Sequence, residues 1–292
     1  MTQQRVDLHL HTTCSDGRYA PQELVGLAAK AGMKAIAIAD HDNVDGIDLA
    51  LKAGDELGVE VISAVELSSQ WQEYQDIHLL GYGFDHHHAE LRRQLADFRE
   101  FRAGRNQQIV EKVNRQLAGE GRAPLDFQAI AESAGGTIGR PHIALALRAA
   151  GYVQSHDEAF DRYLVPNDVT KRFFPIDEAI ALIHSAGGIA VLAHPPYVTR
   201  NHGELESMIE SFVEMGLDGL EAYNNGVNQD GVYWLIGLAR RHQLIVTGGS
   251  DFHGNEGSAI AIGCGVGRLS IPYSCVDEIR SALFRRQAET RT

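Results

Sequence analysis

The stretch Val6-Asp7-Leu8-His9-Leu10-His11-Thr12-Thr13-Cys14-Ser15-Asp16-Gly17 decides how the rest of the chain is read. Apolar and polar residues alternate up to His11, which predicts a short strand whose pleat sends His9 and His11 to one face. The chain then turns at Ser15-Asp16-Gly17 and supplies a carboxylate just past the strand end. Two imidazoles on one face with an acid beside them form half of a metal site. Alone the motif is weak, because His-X-His also arises by chance and Asp-Gly is an ordinary turn pair. The missing ligands have to come from elsewhere in the chain.

Outward from this stretch, strands and helices alternate. Residues 21–30 have helical spacing, with Pro21 in the first turn and Gly32 as the stop. Residues 34–39 form a continuous apolar run, as expected of a buried parallel strand, and end in Asp40-His41-Asp42-Asn43. A helix over 48–57, stopped by Gly58, leads to a strand over 60–65 that ends in Glu66. A further apolar segment, 77–82, carries His78. After Phe84 the pattern changes to one long charged helix over about 89–118, followed by shorter helices at 127–133, 143–150 and 157–164. With no strand evident between about 89 and 170, this part reads as an inserted helical subdomain that leaves through Pro166-Asn167-Asp168.

The alternation resumes at Pro175. A helix over 177–186 precedes a buried strand at 189–193 that ends at His194-Pro195. A helix over 205–215, a strand at 219–223, a helix over 230–242 and a strand at 244–247 lead into Gly248-Gly249-Ser250-Asp251-Phe252-His253-Gly254. A short apolar segment at 259–264 and a helix over 275–286 complete the reading. The expected organisation is an α/β layer built from residues 1–88 and 171–292, with residues 89–170 inserted as a helical subdomain. In folds of this kind the C-terminal edge of the strands is where active sites are built.

Composition narrows the function. The 292 residues are 44% hydrophobic and 22% charged, ordinary for a soluble enzyme. Lys and Arg total 26 against 39 Asp and Glu, a formal net charge of −13. That balance argues against binding long nucleic acid, leaves room for bound cations, and still allows a local basic pocket for one phosphate. Cys14, Cys264 and Cys275 are scattered without CxxC spacing, so neither a disulfide framework nor a zinc-thiolate site is expected, and a reducing cytoplasm fits. The first residues lack a signal-peptide apolar region, and no run approaches the roughly 20 apolar residues of a membrane span.

The strand ends carry His41, Glu66, His194, Asp251 and His253, and His78 sits on a further apolar segment. Each has an ordinary alternative. A His after an apolar run is commonly a hydrogen-bonded core or surface residue, and a Glu at a strand end can cap the next helix. Collectively the pattern is different: nine His, Asp and Glu residues gather on one edge of one α/β layer. Without cations the carboxylates would repel and buried imidazoles would lack partners.

The motifs Asp7-Leu8-His9-Leu10-His11, Ser15-Asp16-Gly17, Ala39-Asp40-His41-Asp42, Val65-Glu66, Ile77-His78, Ala193-His194-Pro195 and Gly249-Ser250-Asp251-Phe252-His253 occur in this order. In this the chain resembles the PHP (polymerase and histidinol phosphatase) superfamily of metal-dependent phosphoesterases. It is most similar to the nucleoside 3′,5′-bisphosphate phosphatase and RNase AM-like group. The resemblance implies a distorted (β/α)7 barrel with a trinuclear centre at the C-terminal strand ends. It implies that His9, His11, Glu66 and Asp251 hold one metal, Asp16, His41 and His253 a second, and Glu66, His78 and His194 a third, with Glu66 bridging. Two to three divalent ions are expected. Ligand chemistry is compatible with Mn, Fe or Zn, and Mn is favoured because family members often use it. A metal-bridging hydroxide would then attack phosphorus in line, while the cluster neutralises the phosphoryl oxygens.

On the substrate side, Arg140 is placed for bidentate phosphate contact and Lys171 for a point-charge contact, with Arg172 as the alternative to Lys171. Each can equally be a solvated surface cation. His142 either faces the cleft or packs inside the insertion. One motif departs from the family: many nucleotide-cleaving relatives continue His-Pro with Gly-Arg-Tyr, whereas this chain has Pro195-Pro196-Tyr197-Val198-Thr199-Arg200. Arg200 or His202 is the expected replacement for the missing Arg, and His202 a candidate general acid for the leaving oxygen. The run His86-His87-His88 resembles a chelating tag but follows a strand at a polar turn, so it reads as surface loop. The expected function is hydrolysis of a phosphate monoester on a small metabolite, an AMP-like nucleotide of the 3′,5′-bisphosphate type. The alternative is 5′-to-3′ exonuclease action on short RNA at the same site. A histidinol-phosphate phosphatase and a non-catalytic scaffold rank below both, and a cytoplasmic monomer without membrane association is the default.

Overall fold

The computed structural model describes residues 5–134, 138–255, 257–265 and 269–289. Its first three strands, β1 (Arg5–Leu10), β2 (Ala35–Ile38) and β3 (Glu60–Trp71), pair in parallel, with α1 (Pro21–Lys30) and α2 (Ile47–Leu57) as crossovers. The four residues of β2 are all buried, as the apolar run requires. α2 stops on Gly58, whose left-handed φ of 70° costs a glycine no steric strain.

β3 departs from the sequence expectation. It runs for twelve residues, so Glu66 lies near its middle and not at its end. Residues 60–63 pair with β2, and from Ala64 onward the strand pairs antiparallel with β4 (Tyr74–Tyr82). Ser68 and Ser69 interrupt the apolar run that marks a buried strand, yet both are buried, with Asp42 accepting from the Ser68 N–H and hydroxyl. The strand bearing His78 is therefore reversed relative to β1–β3.

The helical part comprises α3 (Ala89–Gly119), α4 (Phe127–Ala134), α5 (Arg140–Ala149) and α6 (His156–Ala159), the last running into one wider π-type turn at Phe160–Leu164. Two apolar cores meet on α3. Leu91, Leu95 and Phe98, at helical spacing, pack into the main core, and the Phe98 ring stacks on Phe174 at 4.2 Å. Ile109, Val110, Val113 and Leu117 pack into a second core with Ile130, Ile143, Leu147 and Tyr163. One helix thus fastens the helical part to the barrel.

A two-residue strand, β5 (Phe174–Pro175), pairs with β3. α7 (Ile176–Ser185), β6 (Ile189–Leu192), α8 (His202–Glu214), β7 (Gly219–Tyr223), α9 (Gln229–Arg241) and β8 (Ile245–Gly248) then restore the parallel order. β6 joins the sheet antiparallel to β4. The sheet order is β8-β7-β6-β4-β3-β2-β1-β9, where β9 (Ile271–Pro272) pairs antiparallel with β1 and precedes α10 (Ser274–Glu289). β9 is too short to leave a pattern in the sequence, and the apolar segment at 259–264 leads through a turn closed by an Ala261–Gly265 bridge.

The curled sheet nearly closes on itself. Beyond β8, Ser250 N–H donates to Asp7 Oδ1 at 2.9 Å and its hydroxyl to Oδ2 at 2.6 Å, and His11 N–H donates to Phe252 O at 3.0 Å. Seven principal strands, β1–β4 and β6–β8, make the expected distorted (β/α)7 barrel. Among the described residues no helix is long and apolar enough to cross a membrane.

Candidate metal centre

The closing edge of the barrel gathers all nine residues singled out in the sequence. His9 and His11 come from one face of β1, their rings 5.1 Å apart. Asp16 follows β1, His41 follows β2, Glu66 lies within β3, His78 lies opposite Ser68 on β4, His194 follows β6, and Asp251 and His253 follow β8. Gly249 is what lets β8 pass so close to β1: a Cβ there would lie 2.0 Å from the Cβ of His9. His194 and Asp251 leave their strands in the left-handed region, at φ 26° and 55°, which turns their side chains into the cluster at a conformational cost.

Glu66 is the hub. Its Oε2 lies 3.2 Å from His9 Nε2, 3.3 Å from His11 Nε2 and 3.0 Å from His41 Nδ1. Its Oε1 lies 2.9 Å from His78 Nδ1 and 3.0 Å from His194 Nε2. Asp251 Oδ1 approaches His11 Nε2 at 3.1 Å and His9 Nε2 at 3.6 Å. Asp16 Oδ1 approaches His253 Nε2 at 3.2 Å, and its Oδ2 lies 3.9 Å from His41 Nε2.

Four further carboxylates hold these residues in place. Glu221, fully buried on β7, accepts from His9 Nδ1 at 3.0 Å and from the His194 N–H at 2.7 Å. Asp7 accepts from Ser250 and Gly263, Asp40 from Thr12 and Ser15, and Asp42 from Ser68 and Arg102. Such partners fix the ring orientation of a ligating His. Sequence reasoning named none of them as functional. An Asp or Glu inside an otherwise apolar strand, as in Gly219-Leu220-Glu221-Ala222-Tyr223, was the available signal.

The charge state explains what the arrangement is for. Burial alone would raise the Glu66 carboxyl, but His9, His78 and His41 hold it well below the usual carboxylate range. Asp16 is likewise held down against burial by His41 and His253. Burial opposes charge on His11, yet Asp251 and Glu66 push it up to about 10, while burial drives His41 down to about 3. Protons on some imidazoles thus stand in for positive charge that the carboxylates demand. Among the described residues, His9 Nε2, both His11 nitrogens, Asp16 Oδ1, His41 Nδ1, Glu66 Oε2 and His194 Nδ1 are buried without a hydrogen bond. Orphaned buried donors and acceptors are expensive.

Cations fit this donor set. His9, His11, Glu66 and Asp251 offer ligand atoms all within 4.8 Å of one another, as do His11, Asp16, His41 and His253, and His41, Glu66 and His78. The first group matches the expected first set. The second adds the other face of His11, and the third joins His41 to Glu66 and His78, with His194 reaching the same carboxylate. Nitrogen and oxygen donors without thiolate suit borderline divalent ions.

Above the cluster lies a cleft of about 460 Å³. Asp16, His41, His78, His194 and Asp251 form its metal-facing wall, and Arg102, Arg105, Asn106, Arg140, Phe160 and Lys171 line the other side, with Tyr197 between them. Arg140 and Lys171 both line this cleft. Each is held by a carboxylate: Arg140 by Asp168 at 3.0 Å, Lys171 by Asp76 at 2.5 Å. Arg102 and Arg105 were missed, although Arg99, Arg102 and Arg105 recur every three residues on one stretch of α3.

One expectation is corrected. Arg200 and His202 are exposed and line a separate pocket of about 410 Å³, where the His202 ring stacks on Trp234 at 3.8 Å. The reason is the tight turn Pro195–Tyr197: it presents Tyr197 to the cleft, and Asn201 then caps α8 and starts that helix away from it. Arg172 lies over the Phe98 ring at 5.1 Å, leaving the cleft contact to Lys171. His142 caps α5, its Nδ1 accepting from Gly139 N–H at 3.0 Å, and it lies close enough to Asp16 for that carboxylate to act on its ring.

A curled α/β sheet with a His/Asp/Glu cluster at its strand ends defines the chain as a member of a metal-binding hydrolase class. The PHP domain profile matches residues 7–167, and the chain belongs to that family. It is 36% identical over 252 residues to a 5′-3′ exoribonuclease of Haemophilus influenzae, covering 85% of this chain and 90% of that protein. It is 30% identical over 252 residues to the 3′,5′-nucleoside bisphosphate phosphatase of Chromobacterium violaceum, covering 85% and 87%. A crystal structure of a provisionally assigned metal-dependent phosphoesterase from Bifidobacterium adolescentis matches with a TM-score of 0.82 and 31% identity over 96% of each chain.

Proposed function

We propose that this chain hydrolyses the phosphate monoester of a nucleoside 3′,5′-bisphosphate. It is a metal-dependent phosphoesterase of the PHP family, a hydrolase acting on ester bonds. The observation that carries the substrate reading is the cleft itself, with a wall of metal-ligating side chains facing Arg102, Arg105, Arg140 and Lys171. On a chain of net charge −13 this is a local basic pocket, sized for a small substrate bearing more than one phosphate. Arg140 and Lys171 are each positioned by an aspartate that a phosphate can displace, since guanidinium and ammonium pair as well with phosphoryl oxygens as with carboxylates.

In this reading His9, His11, Glu66 and Asp251 hold one ion, Asp16, His41 and His253 a second, and His78 and His194 with Glu66 a third, manganese being the natural occupant. Ions bound there supply Lewis-acid stabilisation of phosphoryl charge and lower the pKa of a bound water. The chain's own contribution is to orient the ester: Arg140 and Lys171 grip the phosphate, Arg102 holds α3 against Asp42, and Glu221 keeps His9 turned to the cluster. We take residues 89–170 as a subdomain that covers the cleft, and the scattered thiols favour a cytoplasmic location.

Short 5′-phosphorylated RNA is the second reading, supported by the higher identity to the Haemophilus influenzae exoribonuclease. The test is turnover of the manganese-loaded protein on adenosine 3′,5′-bisphosphate, a 5′-phosphorylated dinucleotide and histidinol phosphate. The bisphosphate is expected to give the highest kcat/KM and histidinol phosphate the lowest. A dinucleotide that outranks the bisphosphate would move the assignment to RNA, and a preference for histidinol phosphate would overturn both.

A further inference from the structure

The run Asp85-His86-His87-His88, between β4 and α3, lies apart from the residues that line the cleft. His86 Nε2 sits 2.8 Å from Asp48 Oδ1, and His87 Nε2 sits 3.5 Å from the same oxygen. The two rings are 4.1 Å apart. Asp48 belongs to the first turn of α2, so the group joins two segments distant in sequence. A hydrogen bond accounts for His86. His87 is held on its other nitrogen, where Arg92 lies 3.5 Å from Nδ1, and this leaves Nε2 turned toward Asp48 although the side chain is 58% exposed.

We propose that Asp48, His86 and His87 form a second cation site, on the surface and separate from the catalytic cluster, for a borderline divalent ion of the zinc type. One ligand atom from each residue lies within 4.8 Å of the others. Tetrahedral zinc with bonds of about 2.0–2.2 Å separates its ligands by roughly 3.3–3.6 Å. The His87–Asp48 spacing of 3.5 Å already meets this, and His86–Asp48 has to open from 2.8 Å, which an exposed Asp48 permits. Two imidazoles and one carboxylate favour zinc over magnesium or calcium, and the exposed side of the group leaves water as the remaining ligand.

The neighbours set the terms of binding. His88 Nδ1 accepts from Leu91 N–H and caps α3, so it is committed elsewhere. Arg92 lies 3.5 Å from His87 Nδ1 and 3.6 Å from Asp45 Oδ1. Metal on Nε2 leaves the ring proton on Nδ1, which would face Arg92; occupancy therefore requires Arg92 to swing wholly to Asp45. Arg92 is the built-in competitor of the ion. An ion here would fasten the entry of α3 to the start of α2.

The test uses the full chain with its catalytic cluster saturated with manganese, titrated with zinc. Anomalous diffraction at the zinc edge is expected to show an ion between Asp48, His86 and His87. His87→Ala and Asp48→Asn are expected to weaken zinc binding there by at least the roughly 10- to 100-fold that even an outer-shell partner costs, with ester hydrolysis unchanged. Arg92→Ala is expected to tighten it. Zinc appearing only at the nine-residue cluster, or His87→Ala leaving zinc stoichiometry and affinity unaltered, overturns the proposal.

Discussion

Replacing Glu221 by Gln changes one atom and no volume, and it should cost the cluster a metal. Glu221 presents two acceptor oxygens to two donors, His9 Nδ1–H at 3.0 Å and the His194 backbone N–H at 2.7 Å. Gln has one acceptor. If its oxygen serves His194, its NH₂ faces His9 and forces the ring proton to Nε2, the nitrogen that points 3.2 Å from Glu66 and 3.6 Å from Asp251. If its oxygen serves His9, the His194 N–H is buried against an NH₂. Either way one donor site is mismatched in a fully buried place, worth about 1–3 kcal/mol. At about 1.4 kcal/mol per decade, metal affinity should fall by roughly 10- to 100-fold, as is usual for outer-shell carboxylates. The assay is equilibrium dialysis of chelator-stripped protein against manganese, with ester hydrolysis followed in parallel and circular dichroism to establish folding. The expected result is weaker binding with activity largely recovered at high metal. A folded Glu221→Gln protein that binds manganese as the parent does would refute the tautomer argument.

Three other perturbations separate roles. Arg140→Ala should raise KM for a nucleoside bisphosphate by about tenfold, the loss of one charge-assisted contact of about 1.5 kcal/mol, whereas Arg200→Ala should leave KM unchanged, and steady-state kinetics on the pair decides whether the cleft or the outer pocket binds substrate. Gly249→Ala should fail to fold or lose several kcal/mol in denaturant melts, because its Cβ would sit 2.0 Å from that of His9. Acid sensitivity should trace in part to Asp218, whose carboxyl burial would raise but which the His184 bond, the Ala190 N–H and Arg286 hold below its usual range. The fold prefers its charged form, so this stabilisation is complete above the ordinary carboxylate pKa of about 4 and is lost as pH falls toward the lowered value. Asp218→Asn should therefore be less stable at neutral pH and show a flatter stability profile below about pH 4, read from chemical denaturation across pH.

The nine cluster residues were legible because each follows or interrupts an apolar run, and chance does not put so many His, Asp and Glu at strand ends. The α/β alternation followed from the same runs, and its closure into a barrel from the family resemblance. What was hidden has local causes. Ser68 and Ser69 disguise the second half of β3, and the reversal of β4 leaves no mark in a sequence whose apolar segments look alike in either direction. Glu221 was passed over because a single carboxylate in Gly219-Leu220-Glu221-Ala222-Tyr223 shows its meaning only once His9 and His194 stand beside it. Arg102 and Arg105 belong to a helix so charged that no face stands out until its neighbours are placed. Arg200 and His202 were drawn to the cleft by sequence proximity to His194, and the Pro195–Tyr197 turn carries them away.

If the nine-residue cluster is the metal centre, ester hydrolysis must depend on its filling. Protein stripped with a chelator and titrated with manganese, with bound metal and hydrolysis of adenosine 3′,5′-bisphosphate measured on the same samples, tests it most directly. Activity should be absent from the stripped protein and rise with filling of the cluster, and Glu66→Gln should lose both metal and turnover. Hydrolysis that persists after stripping, or a Glu66→Gln protein with full metal content and full activity, would contradict the account.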